Sequence, residues 1–563
     1  MCPPHRQKKV TPDIGSMIGC RYIKAGITAI ILMMSHHAHA QDDYLLTVDT
    51  KSGTIQIHAN ILDIACQETV CLPAFGQRFG EHFLDPDVTT IQGPQQKLNF
   101  DSAGCLSSLA DGTSLQFKYT LKMDELPNDR AWLASELSPL HFRDFLAFPG
   151  ESLFVERGAN NTPSRAKETH IAIQNAGQIV STLAPHTYDP NHSKFHWAGS
   201  IRPDVQFFTS QDRFELSRSF WTFGAQRILL ASSEHMNIQI ALTADWPIAT
   251  IQREIAIILD EYARIIPQKT PQKLAVFCFD VPFDANYHHG FARPGGIILQ
   301  MGKAAISQAS TRRILMAHEI FHIYNGEGLR FSPNQYEKTA WFREGMTQYV
   351  ALQTLLSLGM MTTSQFYEWM SSSIERTMNA QKGDPIDVYH QGFFISLAFD
   401  QQWRLYQTPY SIIDFWHWIG TSPLWNRLHT NTTLLDALSE YSRFDFKNFF
   451  SQYIEGKSPL PVEQILKLSG LCIRNKKTWF FSAGMDYGFD SQNARLYVKS
   501  LDPNGVGRQA GLSLGAQIIP EPNTNWIDAS DKRMTVIQKS QHKKLRIPTM
   551  SVSKNGVSVE KCM

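Results

Sequence analysis

The chain has 563 residues, 43% of them hydrophobic and 19% charged, with 53 Lys and Arg against 52 Asp and Glu. That length exceeds what one hydrophobic core serves, so about three globular domains are expected. The even charge balance excludes a polyanion-binding surface, and with it a nucleic-acid partner.

Residues 1–40 read as a signal peptide. "MIGCRYIK" supplies basic residues, "AGITAIILMM" an apolar run, and "SHHAHA" ends in Ala38, His39 and Ala40, a small-x-small cleavage pattern. The apolar run is about half of what a bilayer-spanning helix needs, which argues against stable membrane insertion after cleavage. Cleavage after Ala40 leaves 48 basic against 51 acidic residues, a mildly acidic periplasmic or secreted protein. Six cysteines remain, Cys66, Cys71, Cys105, Cys278, Cys472 and Cys562, with no C-x-x-C pair. An oxidising compartment favours disulfides among them. Cys472 with Cys562 is expected to tie down the C-terminal region, and Cys66 with Cys71 to close a short loop.

From 41 to about 235, short β-prone runs such as "YLLTVDT", "GTIQIHANI", "SLQFKYTLKM" and "QFFTS" alternate with turn residues, which predicts a β-rich domain. From about 246 the period turns helical in "WPIATIQREIAIILDEYARIIPQ", ending at Pro267. "KLAVFCFDV" and "GGIILQMG" follow as strands, and helices are predicted over 311–324, 337–360, 363–380, 390–406 and 433–455. After about 470 the texture is again β-like, in "ARLYVKSLDP" and "LRIPTMSVSKNGVSV".

Within the first of these helices, "RRILMAHEIFHIYNGEG" places His318 and His322 four apart, so both imidazoles share one face. Glu319, directly after the first histidine, is placed to act as general base beside a zinc ion held by the two rings. A third ligand is needed. "TAWFREGMTQYV" provides Glu344 on the next helix, and Thr347 and Gln348, three and four residues on, are candidates to orient a ligand imidazole.

Together "HEIFHIYN", "WFREGMTQYV", "VYHQGFFISLAFDQQWR" (388–404) and "FDFKNFFSQYIEGKSPLPVEQILKLSGL" (444–471) resemble the glycyl aminopeptidase family of gluzincin metallopeptidases, over residues 240–471. The resemblance implies a multidomain α+β protein: an N-terminal β domain (41–235), a thermolysin-like zinc peptidase domain with a helical lobe (236–470) and a C-terminal PDZ-like domain (471–563). It implies Zn2+ on His318, His322 and Glu344, Glu319 as base, and a peptide or protein substrate. It also points to Tyr389 as the donor that stabilises an oxyanion. Here the chain reads "YHQG", without the lysine of the family's Y-x-K-G motif. "FSAGMDYGFD" followed by "ARLYVKSLDPNGVGRQAGLSLGAQII" is similar to a PDZ domain, which adds a peptide C-terminus as an extra strand.

The strand before the zinc helix departs from the family. Where relatives carry a carboxylate that holds a free α-ammonium, "YHHGFARPGGIILQMG" places Ala292 or Ile298, with Arg293 beside the former. A buried ammonium without a counter-charge is costly, so free N-termini are not expected to be favoured. His288 and His289 add positive character at lower pH. Two other classes of function fit the residues: a metal-stabilised binding protein without catalysis, against which Glu319 argues, and a hydrolase of non-peptide amides or esters.

Overall fold

The computed structural model describes residues 42–562 except 65–67, 74–80, 91–100, 102–103, 107–108, 110–112, 124–138, 143, 160–167, 187–204, 244–245, 282–285, 380–386, 406–410, 483–484, 491–494, 521–530, 539–540 and 549. The expected signal peptide and Cys66 lie outside the described residues. Among those described, no helix is long and apolar enough to cross a membrane. The chain forms two compact units, one holding most of the residues up to Gly224 and the other running from Ala225 to the C-terminus.

The first unit is built on a seven-stranded sheet of Asp42–Asp49 (β1), Thr54–Ile64 (β2), Glu81–Thr90 (β3), Thr113–Met123 (β4), Thr169–Gln174 (β5), Pro185–His186 (β6) and Gln206–Ser210 (β7), in the order β6-β7-β5-β1-β2-β4-β3. In β4 the apolar Leu115, Phe117, Tyr119, Leu121 and Met123 are buried while Lys118 and Lys122 are exposed. This two-residue period is what one buried sheet face requires. A small sheet pairs Glu68–Cys71 antiparallel with Cys105–Leu106, setting Cys71 opposite Cys105, and a disulfide joins these two. The expected bond from Cys71 to Cys66 is therefore corrected: strand register brings a residue 34 positions away closer than the sequence neighbour.

The second unit begins with a five-stranded mixed sheet of Arg227–Ser232 (β8), Asn237–Leu242 (β9), Lys273–Val281 (β10), His288–Arg293 (β11) and Gly296–Gly302 (β12), ordered β8-β9-β10-β12-β11. β9, β10 and β12 run parallel, and helix Ile248–Ile265 (α1) makes the crossover between the first two. Ile251, Ile255, Ile258, Leu259 and Tyr262 of α1 recur at helical spacing and are buried against Ile240, Val276 and Leu299 of the sheet. The helical lobe follows: Ala309–His322 (α2), Ala340–Ser357 (α3), Thr363–Asn379 (α4), His390–Leu405 (α5), Ile412–Thr421 (α6), Asn431–Ser442 (α7) and Val462–Leu468 (α8).

Two helical expectations change. The stretch predicted as one helix over 433–455 breaks after Ser442, where Arg443 takes a left-handed φ of 58°. Helix α6 lies outside the predicted helices, although Ile412, Phe415, Trp416 and Ile419 recur at i, i+3, i+4 and i+7 and are all buried.

The C-terminal part carries Leu471–Ser482 (β13), Met485–Asp490 (β14), Arg495–Leu501 (β15), Gln517–Pro520 (β16), Asp531–Gln538 (β17), Gln541–Pro548 (β18) and Met550–Lys561 (β19). β14 to β18 form an antiparallel sheet in sequence order, and β13 pairs with β19 as a long ribbon. The expected disulfide between Cys472 and Cys562 closes that ribbon. Its outer edge is held by α4, where Glu375 and Ser371 accept the backbone N–H groups of Val557 and Val559.

Candidate metal centre

Helix α2 is fixed before its histidines are placed. Arg312 and Arg313 in its first half both reach the buried Glu254 of α1, at 3.1 and 2.7 Å, and the hydroxyl of Tyr262 donates to the carbonyl of Ala317 at 2.8 Å. One turn on, His318, Glu319 and His322 are all buried. Glu319 is packed by the edge strand β11: a Cβ at Gly290 would stand 2.5 Å from its Cγ and 2.8 Å from its Oε1. The strand comes that close only because residue 290 is glycine.

Glu344 reaches the same point from α3. The Nε2 atoms of His318 and His322 are 3.0 Å apart, and Glu344 Oε2 lies 3.3 and 3.1 Å from them. Tetrahedral zinc with bonds of about 2.0–2.1 Å sets its ligand atoms roughly 3.3 Å apart, so the three donors fit such an ion. The tautomer fits too. His322 Nδ1 donates to the carbonyl of Asn325 at 2.9 Å, which frees Nε2 as a lone-pair donor.

The electrostatics are those of a cation site. Burial pushes the imidazolium of His318 down. Burial also opposes charge on His322, but the Glu344 carboxylate beside it prevails and lifts it to about 9. Burial works against the Glu344 anion, yet His322, His318 and Arg343 hold its carboxyl well below the usual range. Without a metal, His322 is therefore an imidazolium, protonated at both ring nitrogens, against an ionised Glu344.

Glycine also decides where Tyr389 stands. α3 and α5 cross with Gly345 against Gly392, and a Cβ on Gly345 would meet Gly392 Cα at 2.5 Å. This crossing brings Tyr389, three residues before Gly392, beside Glu344's neighbours: its ring centroid lies 5.7 Å from that of His318, and the residue is 46% exposed. Asp387 accepts the N–H groups of Tyr389 and His390 and so caps α5.

Of the expected supporting residues, Gln348 is buried one turn after Glu344 on α3, whereas Thr347 accepts from Asn325 Nδ2 and touches the centre through it. Sequence reasoning missed Asn325 and Arg343. Asn325 also donates to the carbonyls of Phe342 and Arg343, pinning the end of α2 to the start of α3. Its one sequence signal is its place just past the helix end, where Asn commonly bonds to backbone. Arg293, expected beside the site, faces away from it. Since Gly290 faces Glu319, strand alternation turns Arg293 to the opposite side of the sheet, with its guanidinium over Phe291.

A mixed sheet covered by a helix with two histidines one turn apart, and a second helix delivering a glutamate to them, supports a zinc metallopeptidase. The family comparison agrees. Residues 311–408 match the M61 glycyl aminopeptidase family, a segment that contains His318, Glu319, His322, Glu344 and Tyr389. Among solved structures, the chain is similar to an aminopeptidase N family protein from Idiomarina loihiensis, at 15% identity and a TM-score of 0.66, covering 93% of this chain and 98% of that one. This likeness shows the multidomain fold with its N-terminal β domain and helical region. An M1 zinc metallopeptidase from Deinococcus radiodurans aligns at 12% identity and a TM-score of 0.48, covering 75% of this chain and 95% of that one. No curated protein matches the chain.

Proposed function

We propose that this protein is an exported, periplasmic or secreted zinc metallopeptidase of the gluzincin type that hydrolyses peptide bonds. The observation that carries the reading is the convergence of His318, His322 and Glu344, whose donor atoms all lie within 4.8 Å of one another, with buried Glu319 next to the first of them. His318, His322 and Glu344 would hold Zn2+, which supplies Lewis-acid polarisation of a carbonyl and acidifies water. Glu319 takes the proton of the attacking water on its carboxylate and returns it to the leaving amine nitrogen. The hydroxyl of Tyr389 donates to the carbonyl oxygen as negative charge grows there, an interaction stronger in the transition state than in the ground state. The domain limits proposed are 41–235, a thermolysin-like 236–470, and a PDZ-like 471–563 able to take a peptide C-terminus.

Specificity follows from β11. The positions facing the zinc helix are Gly290 and Ala292, neither of which offers a carboxylate to an α-ammonium. N-acetylated peptides should be cut at least as fast as their free-amine twins, and faster cleavage of the free forms contradicts this specificity. The central test combines metal analysis with turnover. Purified protein should hold about one zinc per chain, chelation should abolish peptide hydrolysis, and Glu319→Gln should keep the zinc while losing about 10²–10⁴-fold in kcat. A Glu319→Gln variant with wild-type turnover refutes the mechanism.

A further inference from the structure

The two oxygens of Glu344 have different partners. Oε2 faces the two histidine Nε2 atoms, whereas Oε1 accepts Nη1 of Arg343 at 2.5 Å. Adjacent residues on a helix do not face each other, so this contact exists only because other groups hold the arginine back. Its Cζ lies 3.9 Å from the ring centroid of Tyr336, in the turn that precedes α3, and its carbonyl is held by Asn325 Nδ2 at 3.0 Å. Among the described residues Arg343 ion-pairs with Glu344 alone, and its Nε is buried without a partner. It clamps no second element by charge, unlike Arg312 and Arg313, which join α2 to Glu254 of α1.

We infer that Arg343 is a positioning residue that restricts Glu344 to one-oxygen ligation. The guanidinium occupies Oε1, so Oε2 alone is offered to a metal, and a coordination position stays open for the reaction. The inference rests on the metal-centre reading above and adds to it the device that keeps the centre from closing. Releasing Oε1 lets the carboxylate chelate through both oxygens. It also removes a cation beside a cation, since like charges a few ångströms apart in a protein interior repel strongly. The first effect raises the coordination number, and both tighten the metal.

The test uses the full-length protein loaded with Co2+, whose visible absorption weakens as coordination rises from four to five. Wild type should bind Co2+ stoichiometrically with strong absorption. Arg343→Met should absorb markedly less and hold Zn2+ about 10-fold or more tightly in chelator competition, a change equal in size and opposite in sign to the loss that follows removal of an orienting partner one shell out from a metal. Arg343→Lys, which keeps the charge but not the planar fork, should fall between the two. Tyr336→Leu leaves the arginine in place and removes the ring that holds it. It should give the same changes at smaller amplitude, and it carries the test if the Met variant does not fold. Cobalt spectra of the Met and Leu variants that superimpose on wild type, or weaker zinc binding by the Met variant, overturn the inference and leave the metal centre standing. A wild-type protein that binds no Co2+ overturns the centre and the inference with it.

Discussion

In the first unit, Arg157 and the partly buried Arg213 meet the buried Asp42 and Glu68; in the second, the buried His318 and His322 meet Glu344, beside the partly buried Arg343. The first cluster is closed. Arg157 donates to both oxygens of Asp42 at 3.0 and 2.9 Å and to both of Glu68 at 2.7 and 2.8 Å, Arg213 adds a bond of 2.7 Å to Glu68, and the N–H of Leu62 completes Asp42. Two cations meet two anions and every carboxylate oxygen has a donor. The second cluster is open, because two ring nitrogens and one oxygen crowd to 3.0–3.3 Å with at most one proton to share among three contacts. Burial alone therefore does not mark a functional site. What marks one is buried donor atoms that converge without enough protons, a geometry that only a cation completes.

The largest expected effect breaks the open cluster. His318→Ala, His322→Ala or Glu344→Ala should each lose all bound zinc and all peptide hydrolysis, as read by metal analysis and turnover, while leaving the first unit folded. Breaking the closed cluster should do the reverse. Arg157→Met strands two buried carboxylates and should cost about 3–5 kcal/mol of stability in denaturant unfolding, with zinc content unchanged. Loss of zinc in that variant would deny that the two clusters have separate roles.

A smaller effect separates ligands from the group expected on the oxyanion. Tyr389→Phe should keep zinc and KM but lose about 10²-fold in kcat, the value of one such donor. An unchanged kcat would reduce the tyrosine to packing.

The smallest effect is a pH dependence confined to the open cluster. His322 is raised to about 9 by Glu344 despite its burial. A histidine raised above its unfolded pKa of about 6.5 contributes stability that is fully present below that pH and is lost as pH rises through the folded value. Metal-free protein should therefore melt progressively lower between about pH 6.5 and 9, whereas zinc-loaded protein, with that nitrogen no longer protonated, should not follow the same slope. Identical slopes would place the titration elsewhere.

Residues one helical turn apart were legible as partners from the chain alone. His318 and His322 share a face at any helical geometry, and Glu319 accompanies them wherever the helix goes, so this half of the centre needs only α2 to form. Strands such as β4, with one face buried, showed the same local legibility through their alternation. The disulfide between Cys472 and Cys562 was readable because the two residues bracket a region of β texture. Everything that depends on two elements meeting was decided by tertiary structure. Cys71 found Cys105 through strand register, and Arg293 turned away because Gly290 faces Glu319. Glu344 reaches the two histidines because Asn325 pins the end of α2 to α3, and Tyr389 stands near them because Gly345 and Gly392 let α3 and α5 touch. Arg343 shows the limit most clearly: a helix neighbour of Glu344 that spacing says should not touch it does so, because the ring of Tyr336 holds it there. Periodicity encodes which side of an element a residue occupies, but close approach between elements depends on the absence of a Cβ and on single hydrogen bonds, which no period records.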